Sequence, residues 1–219
     1  MPRRHNGATG GLVFHVLNRG VRRSNLFRTP GDYAAFLAVL KVAAARVAMR
    51  VLAYVLMPNH WHLVLWPYND GDLERYVGWA TLTHACRWHL VRETRGTGPV
   101  YQGRYKAIPV QSDAHLLTLI RYVERNAVRA GLAKRAEDWI WSSASVETDP
   151  DWPTLSPWPV PRPSGWADGL NEPDGRKALT QLRSCVSRSL PYGTDDWSRS
   201  TAEKLSWSIS GRSVGRPRR

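Results

Sequence analysis

Two histidines separated by one residue, His60 and His62, are the side chains of this sequence best suited to hold a metal ion. They lie in a β-forming run, and residues i and i+2 of a strand point to the same face. The two imidazoles should therefore project side by side, while Trp61 packs on the opposite face. Two such rings can ligate one metal and leave its other positions to water, substrate or a third ligand. A His-X-His pair also occurs as ordinary hairpin polarity, so the pair alone is a weak indication.

Tyr122 and Asn126 form a second group with chemical potential. Tyr122 lies outside the predicted core stripe of its helix, which consists of Leu116, Ile120 and Val123. Asn126 follows four residues later and so shares a helix face with the tyrosine. A phenol and an amide oxygen are thus presented together. Without the histidines, Tyr122 would be interpreted as a boundary residue of an amphipathic helix.

Hydrophobic periodicity predicts an α+β fold. Strands are predicted at residues 12–18, 51–56, 60–66 and 105–111. Helices are predicted from residue 30, from residue 72 and over 112–126. The order β-α-β-β-α-β-α matches a ferredoxin-like βαββαβ antiparallel sheet with an additional C-terminal helix that carries Tyr122. His60 and His62 should lie on a central strand, and Pro109 on an edge strand, because proline cannot donate to the ladder. His15 on the first strand could approach the same site, although a buried core histidine is the simpler interpretation.

The charge of the chain favours nucleic acid as a partner. Of 219 residues, 31 are Lys or Arg and 18 are Asp or Glu, so the formal net charge is +13. Such an excess of positive charge indicates a polyanionic partner. Nucleic acid is the first choice and an anionic membrane surface the second. No apolar run approaches the ~20 residues that span a bilayer, so no membrane partner is expected. A solvated basic surface is the alternative for the candidate DNA-contacting side chains, which are Arg19, Arg22, Arg23, Gln102, Arg104, Lys106, Arg125 and Arg129.

Composition also suggests how the chain is divided. Two distant cysteines, Cys86 and Cys185, form no disulfide framework and no zinc-ligand spacing, so a reducing cytoplasm with association to the nucleoid is expected. Residues 1–146 are predicted to form the catalytic domain, residues 147–168 a Pro/Trp-rich linker, and residues 169–219 a basic tail with one helix near 175–187. The basic ending at residues 215–219 would suit DNA binding. Whether the tail activates or inhibits the site stays open.

Four segments resemble a known family. Residues 53–65 (AYVLMPNHWHLVL) resemble the HUH-motif segment of the Y1, or IS200-like, transposases. Residues 101–106 (YQGRYK) and 122–132 (YVERNAVRAGL) are similar to two further signatures, and residues 138–143 (DWIWSS) resemble the segment that closes the domain. Their order and spacing agree over roughly residues 8 to 146. Within the family, the similarity is greatest to the REP-associated tyrosine transposases.

The resemblance implies a ferredoxin-like fold and cleavage of hairpin-bearing single-stranded DNA. His60 and His62 match the metal-binding histidines, Tyr122 matches the nucleophile, and Asn126 occupies the position of a third, amide-bearing ligand. Many members have proline where this chain has Ala127. The implied cofactor is Mg²⁺ or Mn²⁺, and two imidazole ligands indicate tolerance of Mn²⁺ because Mg²⁺ prefers oxygen. The implied intermediate is a 5′-phosphotyrosine, which leaves a free 3′-hydroxyl and conserves the bond energy for rejoining.

Two alternatives and the oligomeric state stay open at this point. The chain could be a DNA-binding regulator whose chemistry is unused, or a metal-dependent nuclease that forms no covalent intermediate. It could act as a monomer or as a homodimer. The sequence also leaves open which hairpin is recognised and where it would be cut.

Overall fold

Four antiparallel strands form the central sheet of the computed structural model, which describes residues 8–147, 149–173 and 175–207. The strands are Val13–Arg19 (β1), Met49–Met57 (β2), His60–Pro67 (β3) and Lys106–Val110 (β4). Their order across the sheet is β2-β3-β1-β4. This is the ferredoxin-like order, so the predicted fold class is confirmed. The histidine-bearing strand is central, and β4, where Pro109 pairs with Phe14, lies at an edge as predicted.

Two long helices, α1 (Pro30–Arg46) and α2 (Asp72–Val91), pack on one face of the sheet. Helix α1 begins at the predicted position because Thr29 and Asp32 form a capping box and Pro30 fits the first turn. Trp61 is fully buried on this face, against Phe36 and Tyr101. The side chain between the two histidines therefore packs away from them, as the alternation of a strand requires.

The helix that carries Tyr122 crosses the opposite face and is shorter than the sequence suggested. Helix α3 spans Ala114–Glu124, and Asp113 caps it by accepting from the His115 backbone N–H. Arg125 interrupts the helix, and Asn126 opens a separate short helix, α4 (Asn126–Arg129). Tyr122 and Asn126 thus lie on successive turns on either side of a break, and the prediction of one continuous helix over 112–126 was wrong. Arg125 N–H still bonds the Arg121 carbonyl, so the chain keeps its direction across the break.

Three further helices lie beyond residue 146. They are α5 (Trp166–Leu170), α6 (Arg176–Arg188) and α7 (Asp195–Lys204). Helix α6 confirms the helix predicted near 175–187. Its Leu182 is fully buried in the core that α3 forms with the sheet, and Tyr192 belongs to the same core. Residues on both sides of the predicted boundary at 146/147 therefore share one core, while the division into domain, linker and tail stays a prediction.

Chain segments after residue 141 also pair with both edge strands. Ser142 and Leu155 bridge to Val55 and Val51 of β2, and Tyr192 bridges to Val110 of β4. Open edges invite pairing with other chains, so these bridges protect the sheet. The basic ending at residues 215–219 lies outside the described residues. Within the described part of the chain, no helix has both the length and the apolar character needed to cross a membrane.

A buried histidine on α2 makes the stability of the fold depend on pH. His84 is 6% exposed and its Nδ1 lies 2.7 Å from the Tyr101 hydroxyl. Burial, reinforced by the charge of Arg92, lowers the pKa of His84 from 6.5 to about 4. The unfolded chain therefore binds this proton more readily than the folded one. The free energy of unfolding keeps its full value above about pH 6.5 and falls as the pH drops towards 4.

We expect His84 to cost about 2 kcal/mol of unfolding free energy when the pH is lowered from about 7.5 to about 5, because each pKa unit corresponds to about 1.4 kcal/mol. Urea unfolding at the two pH values measures the loss. His84→Gln keeps a polar group beside Tyr101 but does not titrate, so its loss should be smaller by that amount. An identical pH dependence in both proteins would contradict the assignment.

Candidate active site

Three histidines meet on the sheet face that α3 crosses. His60 and His62 project from β3 with ring centroids 5.1 Å apart, as their i, i+2 spacing predicts. His15 on β1 lies diagonally opposite His62, and their rings stack with centroids 5.0 Å apart. His15 is fully buried and also stacks on His62. It is therefore both a core residue and a neighbour of the site.

All three imidazoles are held in the neutral form. Burial lowers the pKa of His62 well below its usual value, and the nearby positive charges of Arg129 and Arg19 lower it further. Burial and Arg19 lower the pKa of His60 to about 4, and burial lowers that of His15 to about 3. A neutral imidazole offers a nitrogen lone pair, which is the form that binds a metal.

Hydrogen bonds determine which nitrogen is available. His60 Nδ1 lies 2.6 Å from Asn59 Oδ1, an acceptor, so Nδ1 carries the proton and Nε2 keeps its lone pair. His62 Nδ1 lies 2.8 Å from His15 Nε2. If His62 donates in that bond, its Nε2 is also free to ligate, and the buried Nδ1 of His15, which has no partner, then carries a proton. Partners of this kind orient metal-binding histidines in proteins.

Tyr122 stands over this group from α3. Its half-buried ring makes edge contacts with His62 and His15, at centroid distances of 5.9 and 6.3 Å. The guanidinium carbon of Arg129 lies 4.0 Å from the centre of the Tyr122 ring, and Arg129 also donates a 2.5 Å hydrogen bond to the Tyr122 carbonyl. Arg129, selected from the sequence as a DNA contact, thus holds the tyrosine in place and puts positive charge beside it.

Asn126 and Arg125 lie just beyond the tyrosine. Asn126 is 8% exposed and follows the break between α3 and α4, one turn after Tyr122. Its role as a third ligand stays a prediction. Arg125 is 7% exposed, so its guanidinium lies within the protein in this conformation, and its role as a DNA contact also stays a prediction.

The donor set fits a divalent cation that shares its coordination with substrate. His60 presents a free lone pair, His62 can do so beside it, and an amide lies one turn from the tyrosine. Within residues 8–147, 149–173 and 175–207, no three His, Cys, Asp or Glu side chains are grouped so as to enclose a metal. Two imidazoles and one amide would leave a cation held here with positions open to substrate.

A groove of about 460 Å³ adjoins this group at the entry to β4. It brings together four of the residues selected from the sequence, namely Arg19, Gln102, Arg104 and Lys106. Arg19, which lines the groove, is paired with His60 across the two strands, so the groove neighbours the histidine-bearing strand. Arg22 and Arg23 follow in an exposed turn over Val21–Arg23, where both have positive φ angles, 50° and 63°.

The sequence did not reveal several residues of this region. Val186 of α6 forms one wall of the groove, and Lys106 donates to the carbonyls of Val186 and Ser187 at the end of that helix. Asn59 is the hydrogen-bond partner of His60, and its position directly before the histidine pair could have indicated this role. The alternation of polar and apolar residues does not report contacts such as that of Lys106 with α6.

One family model and two solved structures are similar to this chain. Residues 8–126, more than half of the chain, match the family described as IS200-like transposases. A solved REP-associated tyrosine transposase bound to a REP hairpin is 19% identical, with a TM-score of 0.52 over 65% of this chain and 82% of that one. A protein from Deinococcus radiodurans R1 with a provisional transposase assignment is 14% identical, with a TM-score of 0.37 over 57% of this chain and 97% of that one. No curated protein matches the chain.

Proposed function

The chain belongs to the IS200-like transposase family, and on that premise we propose that it cuts and rejoins single-stranded DNA beside a hairpin through a covalent bond to Tyr122. The observation that carries the proposal is the position of the Tyr122 phenol ring against His62, with His60 adjacent. The REP hairpin bound by the structurally similar transposase supports a hairpin of that type as the substrate. The basic groove beside His60 supports a polyanion in the same place.

The residues of the site divide the reaction between them. Tyr122 attacks phosphorus; the new bond joins its oxygen to the 5′ phosphate, and the bond to the 3′ oxygen breaks. One phosphoester bond replaces another, so the bond energy is conserved and no nucleotide cofactor is needed. The phenol loses one proton and the departing 3′ oxygen takes up one. Arg129 holds the ring and offsets negative charge as it develops. His60 and His62, with Asn126 as the third ligand, would hold Mg²⁺ or Mn²⁺, which when bound polarises the scissile phosphate.

Incubation with a hairpin oligonucleotide labelled on the 3′ side of the expected cut tests the proposal. With Mn²⁺, a labelled protein band that survives denaturation should form, and a chelator should prevent it. Binding without cleavage would favour a regulator with unused chemistry. Cleavage without any adduct would favour a non-covalent nuclease.

The groove is expected to bind the phosphate backbone, and Arg104→Gln tests this. Losing one phosphate contact should weaken binding and reduce the slope of log affinity against log salt by about 0.7 for single-stranded DNA. Binding titrations over a salt series measure the slope. Arg46→Gln is the matched control, because Arg46 stacks on Trp79 on the other side of the sheet. An unchanged slope in Arg104→Gln, or an equal change in both variants, would overturn the assignment of the groove.

A further inference from the structure

Asn59, in the turn between β2 and β3, connects the sheet face that carries His60 and His62 to the basic turn after β1. Its backbone carbonyl accepts from Gly20 N–H at 2.9 Å. Its side-chain amide nitrogen donates to the Arg23 carbonyl at 3.3 Å, and its side-chain oxygen lies 2.6 Å from His60 Nδ1. One residue thus contacts both ends of the Gly20–Arg23 segment and the ring of the adjacent histidine.

The two side-chain contacts of Asn59 determine each other. The Arg23 carbonyl can only accept, so the amide NH₂ must face it and the amide oxygen must face His60. That oxygen can only accept, so His60 Nδ1 must carry the proton and Nε2 must be bare. The Arg23 contact therefore fixes not only a loop but also the tautomer of a histidine on the next strand.

The segment that Asn59 contacts is strained. Arg22 and Arg23 both adopt left-handed backbone angles, a conformation that two successive non-glycine residues rarely share. Such strain persists only where the surroundings enforce it. Here the enforcing contacts are Arg23 N–H to the Gly20 carbonyl, Val21 N–H to the Val100 carbonyl, and the amide of Asn59. The result is a pair of exposed arginines held next to Asn59, the residue that precedes His60.

We propose that Asn59 is a positioning residue with two separable actions: it holds His60 in the tautomer that ligates a cation, and it clamps the turn that presents Arg22 and Arg23 to DNA. The inference rests on the proposed function and adds one residue that serves both of its binding steps. Cation affinity depends on the acceptor oxygen of Asn59, and metal-independent DNA affinity depends on its amide nitrogen.

Two substitutions separate these actions. Asn59→Ala removes both contacts, and Asn59→Asp keeps an acceptor for His60 but cannot donate to the Arg23 carbonyl. Calorimetric titration of the DNA-free protein with Mn²⁺ should give an affinity about 10- to 100-fold weaker for Asn59→Ala, the usual effect of losing a partner of a ligating histidine. Asn59→Asp should stay within about threefold of the unsubstituted protein. When a chelator removes all metal, both variants should bind the hairpin oligonucleotide roughly fivefold more weakly than the unsubstituted protein. The reason is that each loses one hydrogen bond to the turn.

A matched control and a spectroscopic signature keep the test independent of folding and of activity. Asn69→Ala, at the other end of β3, should leave Mn²⁺ affinity unchanged, and thermal unfolding shows which variants fold. Nitrogen NMR should show His60 protonated on Nδ1 in the unsubstituted protein and in Asn59→Asp, and a mixture of tautomers in Asn59→Ala. Equal Mn²⁺ affinity in folded Asn59→Ala and the unsubstituted protein would overturn the inference. Failure of the unsubstituted protein to bind Mn²⁺ at all would instead overturn the proposed function.

Discussion

Replacing Tyr122 with phenylalanine is expected to abolish the covalent protein–DNA adduct and to lower strand cleavage by at least about 1,000-fold, because the substitution removes only the attacking oxygen. The ring should keep its edge contacts with His62 and its contact with Arg129. Hairpin affinity should therefore stay within about twofold of the unsubstituted protein. Gel analysis of labelled oligonucleotide after denaturation measures both the adduct and the cut.

Tyr68→Phe is the control for this substitution. Tyr68 is 53% exposed just after β3, at the end of that strand away from His60, where it contacts Arg50 rather than the histidines. Its variant should form the adduct at the normal rate. Cleavage that persisted at a similar rate in Tyr122→Phe would show that another nucleophile, such as water, attacks the phosphate.

Removing either histidine of the pair is expected to have the second large effect. Mn²⁺ affinity should fall by at least about 100-fold in His60→Ala and in His62→Ala, because a lost ligand costs more than the 10- to 100-fold of a lost partner. Adduct formation should fall with it. The His62 variant should also be less stable, since it leaves His15 Nε2 buried without its bond. Calorimetry with Mn²⁺ and urea unfolding separate the two consequences.

His89→Ala serves as the histidine control, because His89 on α2 bonds Thr94 and lies on the other side of the sheet. It should bind Mn²⁺ like the unsubstituted protein. If His60→Ala bound Mn²⁺ with unchanged affinity, the cation site would have to be elsewhere. If it lost Mn²⁺ but formed the adduct normally, the chemistry would not need the cation.

The elements of this site follow from local sequence patterns. Period-two spacing places His60 and His62 on one face and Trp61 on the other, and the structure agrees. Pro109 indicates an edge strand because it removes a ladder donor, and β4 is an edge strand. These features were predictable because each depends on the geometry of a single strand.

The contacts that complete the site join residues far apart in the chain. His15 and His62 are 47 residues apart, and no local pattern reports their 2.8 Å bond. Arg125, Asn126 and Ala127 are all buried at the break after Glu124, which period-3.6 spacing does not report, so the predicted helix continued through it. Arg125 was expected at the surface as an arginine but is buried at that break. Helix α6 beside Lys106 likewise depends on tertiary packing.

Mass spectrometry of the adduct tests the central claim most directly. The protein would be incubated with a hairpin oligonucleotide and Mn²⁺, digested with protease and nuclease, and searched for a peptide that carries a nucleotide. The mechanism predicts that residue Tyr122 carries a 5′-linked phosphate and that the released strand ends in a 3′-hydroxyl. A nucleotide attached to any other residue, or cut DNA with no modified peptide, would contradict it.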